Sequence, residues 1–273
     1  MTYNMHSARG VDERYDLGRI AEVIASYDPD IVALQEVDVN RLRSGAVDQA
    51  AELGKRLGLE VHFATAVERG PERYGIATLT RLPALAARHI YLPIHPLGTE
   101  PRCALTTRLA WTGGEVEMVN THLSTLFRER PRQVAALVAA CKCEALIIAG
   151  DFNCTPLSPA YRFLRRGLRS ATFMARTWPS YAPFAPIDHI LFRGRLTVVE
   201  ACAWRGGPAR EASDHLPVVA ELELREAAGA GRCSSPARPV PRSSASTALA
   251  CSSTAATSIA RSTTRAARPS GRS

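Results

Sequence analysis

The chain has 273 residues, with 34 basic against 26 acidic side chains and a formal net charge of +8. No stretch of it approaches the roughly twenty consecutive apolar residues a membrane-spanning helix requires. Seven cysteines, at 103, 141, 143, 154, 202, 233 and 251, are odd in number and form no C-x-x-C pair, which argues against a zinc site and for reduced thiols. The basic excess belongs to one end: residues 225–273 hold eight arginines and one acid, Glu226, so residues 1–224 are nearly neutral. A nucleic-acid footprint is therefore not implied for the part with globular composition.

In chain order, "MTYN" opens on a short strand-like segment carrying Asn4, with no hydrophobic signal region. That start reads as a cytoplasmic protein, expected to be a monomer; a coding start placed too late would leave an upstream signal or membrane segment out of the sequence. Helical periodicity follows over 15–27, then a strand "IVALQEV" (31–37), a helix over 46–59, and strands at 61–66, 75–80, 103–111 and 116–123. A third helix spans 129–143, and strands recur at 145–150, 188–192, 196–204 and 217–224. Many strands joined by short loops, with few helices between them, suggest two packed sheets flanked by helices. Beyond Leu224 the sequence turns to Ala, Ser, Thr, Arg and Pro without aromatics or sustained periodicity, so 1–224 is expected to be one domain and 225–273 a disordered tail.

Polar groups recur at strand ends. "LIIAGDFN" ends an apolar run on Gly150, Asp151 and Asn153; Gly150 permits a turn there, and an extended chain would aim Asp151 and Asn153 the same way. Glu36 lies in "LQEV", His122 in "VNTHLS", Asp188 in "IDHILF", and Asp214 and His215 in "ASDHLPVV". Each alone suits a turn, a cap or a solvated end. Together they supply oxygen ligands for a hard divalent cation, from Glu36, Asp151, Asp214 and the Asn4 amide, and two histidines for proton transfer.

The order "TYNMH", "DIVALQEV", "YGIATLTR", "VNTHLS", "IIAGDFN", "IDHILF", "ASDHLPVVAEL" resembles the endonuclease/exonuclease/phosphatase superfamily over residues 2–224. The resemblance implies an α/β (α+β) four-layer sandwich of two mainly antiparallel sheets flanked by helices, with the site at one end. It implies Glu36 as the principal Mg2+ ligand, Mn2+ being a possible substitute, with Asn4 and Asp214 close to the metal. Asp151 matches the aspartate that orients or activates water, and Asn153 the asparagine that binds phosphate. His215 matches the terminal-motif histidine, Asp188 its hydrogen-bonding aspartate, and His122 the histidine near the leaving group. Whether Asp151 or His215 takes the water's proton is open.

The expected function is a Mg2+-dependent phosphoesterase using in-line attack of water on a phosphodiester or phosphomonoester, such as a phospholipid headgroup or a small phosphorylated metabolite. Arg102, in "EPR", is a candidate phosphate contact; Trp178 and Tyr181 could stack on a base or cover a lipid headgroup. A deoxyribonuclease or abasic-site-type endonuclease is the alternative, less favoured by the neutral domain. A catalytically silent binding module is the second alternative.

Overall fold

A computed structural model describes residues 1–95, 100–112 and 114–224. The expected tail, 225–273, lies outside the described residues. The strands are β1 (Thr2–Asn4), β2 (Ile31–Val39), β3 (Glu60–Arg69), β4 (Glu72–Thr80), β5 (Ala84–Tyr91) and β6 (Cys103–Trp111). They continue as β7 (Gly114–His122), β8 (Leu146–Asp151), β9 (Arg169–Ser170), β10 (Asp188–Arg193), β11 (Leu196–Ala203) and β12 (Val218–Leu224). The helices are α1 (Leu17–Tyr27), α2 (Gln49–Leu57), α3 (Arg130–Ala140), α4 (Pro159–Leu164) and α5 (Ala209–Ala212).

Two six-stranded sheets form, in the orders β11-β12-β1-β2-β4-β3 and β5-β6-β7-β8-β10-β9. Among the described residues only β1–β2 and β7–β8 pair in parallel, so both sheets are mainly antiparallel. The core follows the period-two alternation of strands. In β8, Ile147 and Ala149 face the opposing sheet, packing with Ala33, Met118 and Ile190, while Leu146 and Ile148 pack outward with Val134 and Leu137 of α3. In β2, Val32 and Leu34 likewise face outward with Ile20 and Ile24 of α1 and Leu53 of α2, while Ala33 faces inward. Four layers result: helices, sheet, sheet, helices.

Local sequence fixes the helix ends. Asp16 caps α1 by accepting from the Gly18 and Arg19 amides, Asp48 caps α2 through Ala51, and Ser158 caps α4 through Tyr161. No helix among the described residues is long and apolar enough to cross a membrane. Cys103, Cys141, Cys143 and Cys154 are free thiols, whereas Cys202 is disulfide-bonded, so the expectation of reduced thiols fails at that position.

A polar clamp joins the sheets beneath one end. Gln35 Nε2 donates to Asn120 Oδ1 at 2.8 Å, and Asn120 Nδ2 donates to the carbonyls of Leu34 and Ala77 at 3.0 and 2.8 Å. All these residues are buried, so the satisfied amides fix the register of one sheet against the other.

Candidate active site

Strand register assembles one row of the site. Asp151, the last residue of β8, pairs with His122 across the parallel β7 and with Asp188 across the antiparallel β10. Gly150 therefore lies inside β8, where sequence reading expects a turn; its role is close approach. A Cβ there would sit 1.8 Å from the Thr121 carbonyl oxygen, and its φ of +154° is one that side chains resist.

The opposing sheet supplies Asn4 from the end of β1 and Glu36 from an irregularity in β2. The β2–β4 register shifts between Leu34 and Val37, and Glu36 takes a left-handed φ of 58°. Such a bulge swings a side chain off the ladder and stores backbone strain where chemistry uses it. Asn4 then links both sheets: its Nδ2 donates to Glu36 Oε1 at 2.9 Å and to Asp151 Oδ2 at 3.0 Å, while its Oδ1 accepts from the His6 amide.

Two imidazoles close on the same carboxylate. His122 Nε2 is 3.4 Å and His215 Nε2 3.9 Å from Asp151 Oδ2. Behind His122, Arg102 Nη1 lies 2.9 Å from Nδ1. A guanidinium can only donate, so Nδ1 accepts and the ring proton sits on Nε2, facing Asp151. Arg102 is buried and also pairs with Glu100 at 2.8 Å. Behind His215, Asp188 Oδ2 is 2.9 Å from Nδ1 and accepts from the Thr177 hydroxyl.

Charge follows from this packing. Burial opposes a charged His215, but Asp188, then Asp151 and Asp214, outweigh it and raise its pKa to about 10. Burial pushes the Asp188 carboxyl up. Burial would also raise Asp151, yet the His122 hydrogen bond, the His215 charge and the Asn153 amide together hold it well below the carboxylate range. At neutral pH the arrangement is thus an imidazolium beside an ionised Asp151.

Not every expected residue joins this core. Asn153 leaves the extended path with φ 48°, so it does not point alongside Asp151; its amide donates to Asp151 Oδ1 at 2.8 Å and its Nδ2 to the Leu123 carbonyl at 2.9 Å. Asp214 is partly exposed, with Oδ1 3.4 Å from His6 Nδ1 and Oδ2 accepting from Trp178 Nε1 at 3.2 Å. Trp178 thereby touches the site through Asp214 and stacks edge-on with Phe184. His6 and Thr177 escaped sequence reasoning; His6 lies in the quoted "TYNMH", but nothing in the pattern distinguishes it.

The donor set suits a divalent cation. Glu36 Oε1 and Asp151 Oδ2, from different sheets, converge on the single Asn4 amide nitrogen, a point where positive charge is stabilised. Asp151, Asp188 and His215 also offer ligand atoms within 4.8 Å of one another.

The family model described as "Endonuclease/Exonuclease/phosphatase family" matches residues 1–215. The chain belongs to the endonuclease/exonuclease/phosphatase family. Members of this family are divalent-metal-dependent hydrolases of phosphoester bonds, and the chain is such an enzyme. No curated protein matches the sequence. Among solved structures, an endonuclease/exonuclease/phosphatase from Beutenbergia cavernae is similar at 24% identity and TM-score 0.68, over 82% of this chain and 70% of that one. The human Nocturnin catalytic domain with bound sulfate is similar at 24% identity and TM-score 0.64, over 82% and 92%. A Bacteroides thetaiotaomicron mannosyl-6-phosphatase is similar at 20% identity and TM-score 0.64, over 81% and 98%. These likenesses establish the shared family fold, a two-sheet sandwich with outer helices.

Proposed function

We propose that the protein hydrolyses a phosphoester by in-line attack of water, with Mg2+ as the cation and Mn2+ as a substitute. The observation that carries the reading is convergence: Asn4 Nδ2, His122 Nε2 and His215 Nε2 all lie within 3.9 Å of Asp151 Oδ2. Three N–H donors drawn from both sheets around one anionic oxygen make a pre-formed cradle for the oxygens of a phosphoryl group. Glu36 and Asn4 would hold the cation, which when bound neutralises charge on the phosphoryl oxygens.

The chain's own groups divide the remaining work. Asp151, kept ionised, accepts a hydrogen bond from the attacking water, orients it and takes its proton as the new P–O bond forms and the bond to the leaving oxygen breaks. His215, kept cationic by Asp188, stabilises the charge that builds on the phosphoryl oxygens and is not available as a base. His122 presents Nε2–H toward the leaving oxygen, and the Asn153 side chain, tethered to Leu123, borders the same space. A silent binding module has no need of a buried imidazolium and a strained glutamate held together at this cost.

Purified protein should turn over bis-p-nitrophenyl phosphate or p-nitrophenyl phosphate with Mg2+ and lose that turnover in excess EDTA. Glu36→Gln should shift the metal titration to higher concentration with little change in melting temperature. Full turnover in EDTA, or an unchanged titration in the variant, overturns the assignment.

A further inference from the structure

Exposed apolar side chains are distributed unevenly about the sandwich. β7 and β8 both end at the site, and β10 begins there, so the segments 123–129, 152–158 and 171–187 all emerge at the catalytic end. These three segments carry Leu126, Phe127, Leu157, Phe173, Tyr181 and Phe184; five of the six are over 60% exposed. Among the described residues, the turns at the opposite end, 28–30, 58–59, 81–83, 142–145 and 194–195, present no exposed large apolar side chain. Solvent alone gives no reason for that asymmetry, and clustered exposed hydrocarbon marks a contact surface.

The charge of the same segments is mainly basic. Residues 152–158 and 171–187 contain one arginine, Arg176, and no acidic residue, and 123–133 contain three arginines against Glu129. The loops of the other sheet at this end pair their arginines internally, Arg9 with Glu13, Arg19 with Asp12 and Asp16, and Arg43 with Asp38. The segments are also held in place. Arg130 donates to the carbonyls of Ser124, Thr125 and Asn153, tying the first loop to the second, and Trp178 ties the third to Asp214. The Arg128 guanidinium lies 5.4 Å over the Phe127 ring, an exposed aromatic with a cation beside it.

We propose that this rim docks on an anionic phospholipid surface, Phe127, Leu157 and Phe173 entering the headgroup–acyl boundary while Arg128 and Arg176 meet lipid phosphates, so that the phosphoester substrate is a membrane lipid. The inference rests on the phosphoesterase reading above. Leucine side chains favour hydrocarbon over nucleic acid as the partner, because bases stack on aromatic rings and guanidinium planes and gain little from Leu126 and Leu157. Their placement on three separate loops around the opening suits a plane rather than a single-strand groove.

The test is co-sedimentation of the full chain with phosphatidylcholine vesicles with and without about 30 mol% phosphatidylglycerol, whose negative surface attracts basic side chains, beside turnover of a soluble p-nitrophenyl phosphoester. Wild-type protein should bind the anionic vesicles, and Phe127→Ser and Phe173→Ser should each weaken binding roughly tenfold while turnover of the soluble ester and the melting temperature hold. No vesicle binding, binding indifferent to both serine variants, or displacement by a single-stranded oligonucleotide with retained affinity for it in those variants would each overturn lipid docking. Loss of soluble-ester turnover in the wild type would instead strike the phosphoesterase reading, so the two failures are separable.

Discussion

His215 Nδ1 lies 2.9 Å from Asp188 Oδ2, and this contact sets the charge of the ring. With its pKa raised to about 10 from an ordinary value near 6.5, His215 stabilises the fold fully below pH 6.5. That contribution is lost as pH rises through 10. Asp188→Asn removes the carboxylate: the His215 titration should fall by several units in an NMR pH series, and turnover by roughly two to four powers of ten. A titration unmoved by the substitution would contradict the pairing.

His189 has the opposite sign. Burial lowers its pKa to about 4, with Nε2 donating to the Cys154 carbonyl at 2.8 Å and the ring packed on Tyr161 and Phe152. Its neutral form is stabilising above the unfolded value near 6.5, and that stability is lost as pH falls from 6.5 through 4, on the order of 3 kcal/mol. Urea unfolding from pH 7 to 4 should show this decline, and His189→Gln should flatten it. An equal acid-side slope in the variant would assign the decline elsewhere.

Arg102 acts on His122 through Nδ1 in this structure, so its substitution should alter the ring and not only affinity. In 15N spectra of the histidine rings, His122 should show an unprotonated Nδ1 and protonated Nε2. Arg102→Met should lose that preference and reduce turnover tenfold or more, roughly the worth of a mispositioned proton donor; Arg102→Lys, which still donates, should recover part of it. A protonated Nδ1 in the wild type would contradict the account.

Gly150→Ala places a methyl 1.8 Å from the Thr121 oxygen at φ +154°. Backbone on both sides cannot yield cheaply, so the cost should be about 4 kcal/mol or more, measured by urea unfolding. A cost under about 1 kcal/mol would mean that β7 and β8 are not this close.

Much of the fold was legible because alternation is a local signal. The apolar runs at 31–37, 103–111 and 196–204 became β2, β6 and β11 nearly at their read boundaries. β5 was missed because "ALAARHIY" is an edge strand with mostly exposed side chains and few β-branched residues. α4 was missed because six residues after Ser158 are too few to show a helical period. Within the site, the residue types at strand ends were readable, but their mutual geometry was not. Nothing local says that Glu36 occupies a bulge, that Asn153 turns left-handed, or that Arg102 stands behind His122, since each depends on a partner twenty or more residues away.

The most direct test is a double-mutant cycle on Asp151 and His215, with turnover of the active phosphoester measured in Mg2+ and circular dichroism as the folding control. If both groups act on one phosphoryl centre, each alanine substitution reduces turnover by several powers of ten, and the double mutant falls far short of the product of the two losses. Multiplicative losses, or near-wild-type turnover in Asp151→Ala, would contradict the shared centre.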